Sequence, residues 1–389
     1  MRFRNINLLI LVVTLFAVNG CVQNQSQKEE KKCNAIWYKG NTHCHSTNSD
    51  GDVAPFAVVE WYHNHGYHFL VISDHNILTP PDTVKRPENV RENFLLIQGE
   101  EVTDQNDVHS TAFNIKDYIP FSVEPRFPST TTMMERFMIM YELVGIPSAY
   151  SSSELLQMHI DSILAQDGIP FLNHPNWASG LSVEDILPVE RLRFMEVYNG
   201  HPDVKNWGSD KHIPVEAKWD SLLSKGKLIY GVASDDTHDY LKFSDRDANP
   251  GRGWIMVKSD SLDAEAISKS LEKGDFYATM GVMLSELSFS ESIYKIAIDT
   301  AITNEELKHT NTVPRIDVTG AEGYTIDFIG YKGEVLKTVQ GLKSQYKAKQ
   351  GDKYIRCRIT KCSKSEKGFE KIFAWTQPII IDHGFFNND

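Results

Sequence analysis

Phe69-Leu70-Val71-Ile72-Ser73-Asp74-His75-Asn76 is the stretch on which the fold turns. A short apolar run bounded by polar residues reads as a buried strand, and this one stops in an acid, an imidazole and an amide. The arrangement recurs. Ile169-Pro170-Phe171-Leu172 runs into Asn173-His174-Pro175-Asn176, and Leu228-Ile229-Tyr230-Gly231-Val232-Ala233 leads to Asp235-Asp236-Thr237-His238. Upstream, His43-Cys44-His45 with Asp50 makes a further cluster, and Glu101 and His109 fall between the strand ends. Ligands displayed from the C-terminal ends of several strands are how barrel and α/β enzymes build their sites. Imidazole and carboxylate are the groups that first-row divalent ions take up in hydrolytic centres, so the pattern points to a metal-dependent hydrolase. The chain has fourteen histidines, and His63, His65, His68, His159, His201, His212, His309 and His383, which lack this setting, are read as ordinary surface or core residues.

Helical patterns lie between the strands. Pro55 to His65, starting near Asp52, places Phe56, Val59 and Tyr62 on one face. Ser151 with Glu154 forms a capping-box pattern ahead of the stripe Leu156, Ile160, Ile163 and Leu164, which stops at Gly168. Leu262 to Lys273, ended by Gly274, makes another. Alternation of strand and helix through about residue 280 predicts parallel strands with crossover helices. Residues 117–150, rich in Pro, Ser, Thr and Met, break the rhythm and read as an insertion or lid over the site. Beyond residue 284 short alternating runs such as Tyr324-Thr325-Ile326-Asp327-Phe328-Ile329, separated by turn signals, predict a small all-β, sandwich-like module in an accessory role. The expected division is therefore 37–283 for the hydrolase and 284–389 for the β domain.

The start of the chain suggests an address. Arg2 and Arg4 precede the apolar run Leu8 to Val18, and Val18-Asn19-Gly20-Cys21 resembles a bacterial lipobox. Residues 1–21 are expected to be a lipoprotein signal, with Cys21 lipidated, and 22–36 a flexible polar tether. The body is expected in the periplasm or at the cell surface, held on the membrane through that lipid. No later stretch is long and apolar enough to span a bilayer. A composition 41% hydrophobic and 24% charged supports a large core, and a net charge of −12 without a basic stripe argues against bulk nucleic-acid binding. Cys357 and Cys362 lie close enough in sequence to pair in an oxidising compartment, whereas Cys44 should pack as a small apolar residue.

Taken in order, His43-x-His45 with Ser49-Asp50-Gly51, Ser73-Asp74-His75-Asn76, Gly99-x-Glu101-Val102-Thr103, His109, Asn173-His174-Pro175 and Asp236-x-His238 resemble the polymerase-and-histidinol-phosphatase (PHP) family over roughly residues 38–280. The resemblance implies a distorted (β/α)7 barrel with two or three divalent ions (Zn, Mn or Fe) at the strand C-termini. It implies His43, His45, Glu101 and Asp236 on a first ion, Glu101 bridging to a second with His109 and His174, and Asp50, His75 and His238 on a third. Glu100 and Asp235 are the neighbouring alternatives to Glu101 and Asp236, and the family spacing favours the later residue of each pair. Asp50, where many members carry histidine, is expected to weaken the third site for zinc.

Ions sharing a carboxylate generate hydroxide near neutral pH and offset charge on phosphoryl oxygens. The expected activity is hydrolysis of a phosphate mono- or diester in a small phosphorylated substrate. Glu101 and Asp236 are the candidate catalytic carboxylates, and Arg252 or Arg246 the candidate to hold a remaining substrate oxygen, against the alternative of ordinary loop charge. Glu196-Val197-Tyr198-Asn199, at another strand end, is a candidate substrate contact. The alternatives are hydrolysis of a non-phosphate ester or amide, and a lipid-anchored binding protein with structural metals.

Overall fold

Phe69 and Val71 pack into one hydrophobic cluster while Leu70 and Ile72 pack into another. That split follows from a strand whose successive side chains leave on opposite faces. A strand covered on both faces has to be apolar at every position, which is why these runs do not alternate. The first cluster gathers Tyr38, Phe113, Phe171, Phe194, Val232 and Ile255 from other strands, and the second carries the helix-facing residues, including Val58, Leu156, Ile160 and Trp219.

The computed structural model describes residues 36–386. The expected signal peptide, Cys21 and all but the last residue of the tether lie outside the described residues. In chain order the elements are β1 (Ile36–Asn41), α1 (Pro55–Asn64), β2 (Phe69–Val71), α2 (Glu88–Asn93), β3 (Leu95–Ile97), β4 (Gly99–Asp104), β5 (Val108–Phe113), α3 (Met133–Val144), α4 (Ser152–Leu164), β6 (Ile169–Leu172), α5 (Val183–Ile186), β7 (Phe194–Asn199), α6 (Val215–Ser224) and β8 (Tyr230–Ser234). There follow β9 (Trp254–Ser259), α7 (Ala264–Lys273), β10 (Phe276–Thr279), β11 (Leu284–Ser290), β12 (Ile293–Ile298), α8 (Thr300–Glu306), β13 (Arg315–Asp317), β14 (Gly323–Ile329), β15 (Val335–Gln340), β16 (Lys343–Lys347), β17 (Tyr354–Ser365), β18 (Gly368–Thr376) and β19 (Ile379–Ile380). The Ser151 capping box opens α4, and α7 ends at Gly274 with φ 75°, a left-handed cap that favours glycine. No helix among the described residues is long and apolar enough to cross a membrane.

The result is a mixed α/β fold with several sheets. One runs β15-β14-β17-β18-β10-β9-β1-β2-β3, a second β4-β5-β6-β7-β8, and a third β11-β12-β16. Not all pairing is parallel. β1–β2, β2–β3, β6–β7 and β7–β8 are parallel, whereas β4–β5, β5–β6, β1–β9 and β9–β10 are antiparallel. Asn106 and Asp107, with φ 59° and 56°, make the β4–β5 connection a tight left-handed hairpin, and a turn that short can only return the chain antiparallel. Continuous ladders among the described residues do not close a barrel. Two isolated parallel bridges, Cys44↔Thr237 and His75↔Glu101, link the first two sheets beyond the strand ends.

The C-terminal strands do not stand apart. β18 pairs with β10 through Tyr277↔Thr376, so β14, β15, β17 and β18 extend the sheet that contains β1 and β2. The module is also not all-β, since α8 lies within it. Arg356 of β17 is buried and forks onto Asp220 of α6, with Nε and Nη2 at 2.8 and 2.6 Å from its oxygens, fastening this layer to the helices. Cys357 and Cys362 are both buried and free. Five residues apart on one strand, they point to opposite faces and are separated by about 16 Å, beyond disulfide reach. Cys44 is buried and unpaired, as expected of a small apolar residue.

Candidate metal centre

Each strand end delivers its ligands to one place. The segment after β1 brings His43, His45 and Asp50, the end of β2 brings His75, β4 carries Glu101, and the segments after β6 and β8 bring His174, Asp236 and His238. Because β5 runs antiparallel to β4, it is its beginning that lies at this end, and His109 is its second residue. Left-handed backbone conformation occurs at one of these groups and beside another. Asp236 sits at φ 52°, uncommon for a residue with a side chain, and Asn76 at φ 48° holds Thr103 of β4 through both of its amide atoms.

Glu101 is the hub. Its Oε1 lies 3.3 Å from His43 Nε2, 3.2 Å from His109 Nδ1 and 3.3 Å from His174 Nε2. Its Oε2 lies 2.8 Å from His75 Nδ1 and 3.5 Å from His45 Nε2. Asp236 Oδ1 stands 3.2 Å from both His43 Nε2 and His45 Nε2, which are themselves 3.2 Å apart. Asp50 faces His238 Nε2 at 3.4 Å and His75 Nε2 at 3.5 Å, with His45 Nδ1 at 3.6 Å. Four overlapping sets can each hold an ion with ligand atoms within 4.8 Å of one another: His45-Asp50-His75-His238, His43-His174-Asp236, His43-His45-Glu101 and His75-Glu101-His109. All nine residues expected to bind metal are therefore brought together. The grouping differs in three respects: His174 joins His43 and Asp236 as well as Glu101, His45 also joins the Asp50, His75 and His238 set, and His75 also joins Glu101 and His109.

The donor set fits divalent ions. Ligands about 2.0–2.1 Å from a tetrahedral ion stand about 3.3–3.4 Å apart, and the separations among His43, His45, Asp236 and Glu101 fall at 3.2–3.5 Å. Glu101 Oε2 is buried and accepts no hydrogen bond, since His75 Nδ1, 2.8 Å away, is engaged with Thr103 Oγ1 at 2.6 Å, which leaves it an acceptor for a cation. Charge says the same. Burial alone would push Glu101 up, but His43, His75 and His109 hold it well below the usual carboxylate range, and His43 and its neighbours do so for Asp236. Burial opposes charge on His43, yet Asp236, Glu101 and Glu196 raise it well above the ordinary value. His45 is driven the other way, to about 3, by burial and by His238 and His75. Buried carboxylates need positive charge beside them, and divalent ions supply it without the protons.

A cavity of about 490 Å³ opens over this cluster, lined by Asp50, His75, His109, His174, Asp236 and His238 and by residues of α3. The insertion at 117–150 thus contributes a wall of the site.

The solved neighbours include PHP-like proteins. A two-domain protein from Bacteroides vulgatus containing a predicted PHP-like metal-dependent phosphoesterase is 16% identical, with 84% of this chain and 90% of that chain covered and a TM-score of 0.40. A putative metal-dependent phosphoesterase from Bifidobacterium adolescentis is 17% identical over 51% of this chain and 87% of its own, at 0.35. An amidohydrolase from Chromobacterium violaceum, with bound sulfate and no metal, is 14% identical over 51% and 87%, at 0.36. No family model matches the chain, and no curated protein does. Likeness this loose carries no argument about the reaction, which has to come from the side chains.

The paired acids divide by what they touch. Glu100 is turned away, accepting from Ile119 N at 2.5 Å, and burial raises its pKa. Asp235 accepts from Asn41, Tyr62 and the backbone N–H of Gly251, Arg252 and Gly253. Arg252, expected to meet substrate, is buried with its guanidinium donating to Gly200 O at 2.9 Å and Ser244 O at 2.7 Å, and it does not line the cavity. Both terminal nitrogens are already engaged by backbone carbonyls. Arg246 is exposed and does not line the cavity either. Glu196 touches a ligand rather than the cavity: its Oε1 lies 2.9 Å from His43 Nδ1, the carboxylate–imidazole arrangement that fixes a metal-binding tautomer. Three residues take roles that the sequence reading did not assign to them. Asn173 Nδ2 donates to Glu101 Oε1 at 2.7 Å, and Asn199 Nδ2 to Glu196 at 2.8 Å and Asp236 at 3.1 Å. His201 lines the cavity 5.5 Å from His238, ring to ring, and burial lowers it to about 4. Asn173 was in view beside His174, and Asn199 within the Glu196 run; amides at strand ends were the available signal.

Proposed function

We propose that this chain is a PHP-type metal-dependent hydrolase that cleaves a phosphate mono- or diester. The observation that carries the reading is the ligand spacing of 3.2–3.5 Å around His43, His45, Asp236 and Glu101, with Glu101 turning its second oxygen to His75. Divalent ions held there would supply Lewis acidity toward ester oxygens and lower the pKa of a coordinated water. The chain's own groups set the rest: Glu101 would be shared between neighbouring ions, Glu196 and Asn173 hold His43 and Glu101 in place for them, and α3 forms one wall of the cavity. The barrel reading is part of this proposal. The Cys44↔Thr237 and His75↔Glu101 bridges support a distorted ring of seven strands in the order β1-β2-β4-β5-β6-β7-β8.

The expected metals are two or three of Zn, Mn or Fe, the substrate is a small phosphorylated molecule, and the protein is held at a membrane through Cys21. A second reading, hydrolysis of a carboxylic ester or amide, is favoured by one feature: no Lys or Arg lines the cavity among the described residues. The test is hydrolysis of p-nitrophenyl phosphate, bis-p-nitrophenyl phosphate and p-nitrophenyl acetate by chelated and manganese-reloaded protein. Metal-dependent release from a phosphoester is expected. Metal-dependent release from the acetate alone would overturn the phosphoester reading in favour of the second.

A further inference from the structure

The cavity over the cluster has two unlike walls. One is the ligand set. The other is apolar, formed by Phe137, Met140, Tyr141 and Val144 of α3 with Trp177 from the segment after β6. The four α3 residues are spaced i, i+3, i+4 and i+7, which places them on a single helical face. Phe137 stacks toward His75 with ring centroids 6.4 Å apart at 29°, and Trp177 lies 5.5 Å from His174. The apolar wall therefore begins where the ligands end.

Charge in the cavity is one-sided. No Lys or Arg lines it among the described residues, while Asp104 and Asp107 do. Asp107 accepts from Ser179 and stands at the rim, while Asp104 is buried beneath it, accepting from Ser122 and facing His159 Nε2 at 3.5 Å. A phosphate monoester arrives as a dianion, and any charge not met by the metal ions would face this acidic rim without a cationic side chain. A diester carries one negative charge and leaves a second ester group to be housed. We infer that the site takes a phosphodiester monoanion with an apolar or aromatic ester group seated between α3 and Trp177. The inference rests on the phosphoesterase reading and narrows it.

Three stable or slow probes separate charge from apolar fit: phenyl methylphosphonate, a monoanion with a ring; methyl methylphosphonate, a monoanion without one; and phenyl phosphate, a dianion with the ring. Calorimetric titration into manganese-loaded protein should show the first binding at least about tenfold tighter than methyl methylphosphonate, the scale expected from burying one ring, and more tightly than phenyl phosphate, which differs from it in charge. Phe137→Ala should bring the phenyl-to-methyl ratio close to one, and Phe137→Leu should keep part of it. Tyr141 is 67% exposed, so Tyr141→Ser leaves the α3 core packing alone and should still lower the ratio. Phenyl phosphate binding more tightly than phenyl methylphosphonate would overturn the charge argument. Equal affinity for the phenyl and methyl probes, or a ratio unmoved by both Phe137→Ala and Tyr141→Ser, would overturn the apolar subsite. If the binding preference holds but neither p-nitrophenyl phosphate nor bis-p-nitrophenyl phosphate is hydrolysed, the subsite stands and the phosphoesterase reading falls.

Discussion

Asn173→Ala is the sharpest test of the site as built, because Asn173 touches the hub without being a ligand. Its Nδ2 donates to Glu101 Oε1 at 2.7 Å, while its Oδ1 accepts from Thr111 N and Oγ1 at 3.1 and 3.0 Å. The substitution removes one charge-assisted hydrogen bond from a carboxylate with no exposed surface. Such a bond is worth about 1.5–3 kcal/mol. If that loss appears in metal binding, affinity falls about 10- to 150-fold, close to the roughly 10- to 100-fold typical when a partner behind a metal ligand is lost. The measurement is the manganese dissociation constant by competition with a fluorescent chelator at fixed pH, with circular dichroism to establish that the variant folds. Glu101→Gln gives the scale at the other end, since it takes the charge itself and should lose about 3–5 kcal/mol. A folded Asn173→Ala protein that binds manganese within twofold of the parent would refute the claim that Asn173 sets the basicity and orientation of Glu101.

Three further outcomes are expected. Asp236→Asn should lower metal content and turnover by orders of magnitude, whereas Asp235→Asn should keep metal and turnover but lose about 1–3 kcal/mol in thermal unfolding, because the new amide cannot accept from the Gly251, Arg252 and Gly253 N–H groups together; a metal-free Asp235→Asn would reverse the assignment. Metal added to chelated protein in weak buffer at pH 7 should release more than one proton per chain, because neighbouring carboxylates raise His43, His75, His174 and His238 and ligation needs the bare nitrogen, while His45, near 3, has none to give. In the metal-free protein the stabilisation from charged His43 is then complete below about 6.5 and lost as pH rises through its raised value, and a pH indicator that registers no release would count against this. Cys21→Ser should shift the protein from the detergent phase to the aqueous phase, and unchanged partitioning would remove the lipobox proposal.

Much of the site was legible because it is built at strand ends. Phe69–Ile72, Ile169–Leu172 and Ile229–Ala233 are buried on both faces, so they appear as unbroken apolar runs, and the polar residue that ends each run is where the chain passes from apolar packing to the buried polar site. Strand direction was not legible. His109 reaches the cluster only because β5 turns back on β4, and the sign of that turn lies in the left-handed φ of Asn106 and Asp107. The C-terminal strands alternate as a free-standing sandwich would; nothing in Arg358-Ile359-Thr360 tells that β17 and β18 continue a sheet begun at β1. Arg252 failed for a related reason. A loop arginine near a site looks the same in sequence whether it points at substrate or, as here, is consumed by the carbonyls of Gly200 and Ser244.

Asp235 and Asp236 show how backbone conformation resolves what residue type leaves open. Neighbouring carboxylates repel, and burying both at one centre would add negative charge that the imidazoles must offset. At Asp236 the chain enters the left-handed region, at a strain of order 1–3 kcal/mol for a residue with a side chain. The two acids then part. Asp235 faces Asn41, Tyr62 and the Gly251–Gly253 backbone, while Asp236 faces His43, His45 and His174. The five donors around Asp235 fix the backbone just before the strained residue and so make that conformation affordable. One carboxylate holds the turn, and the other is presented by it to the cluster.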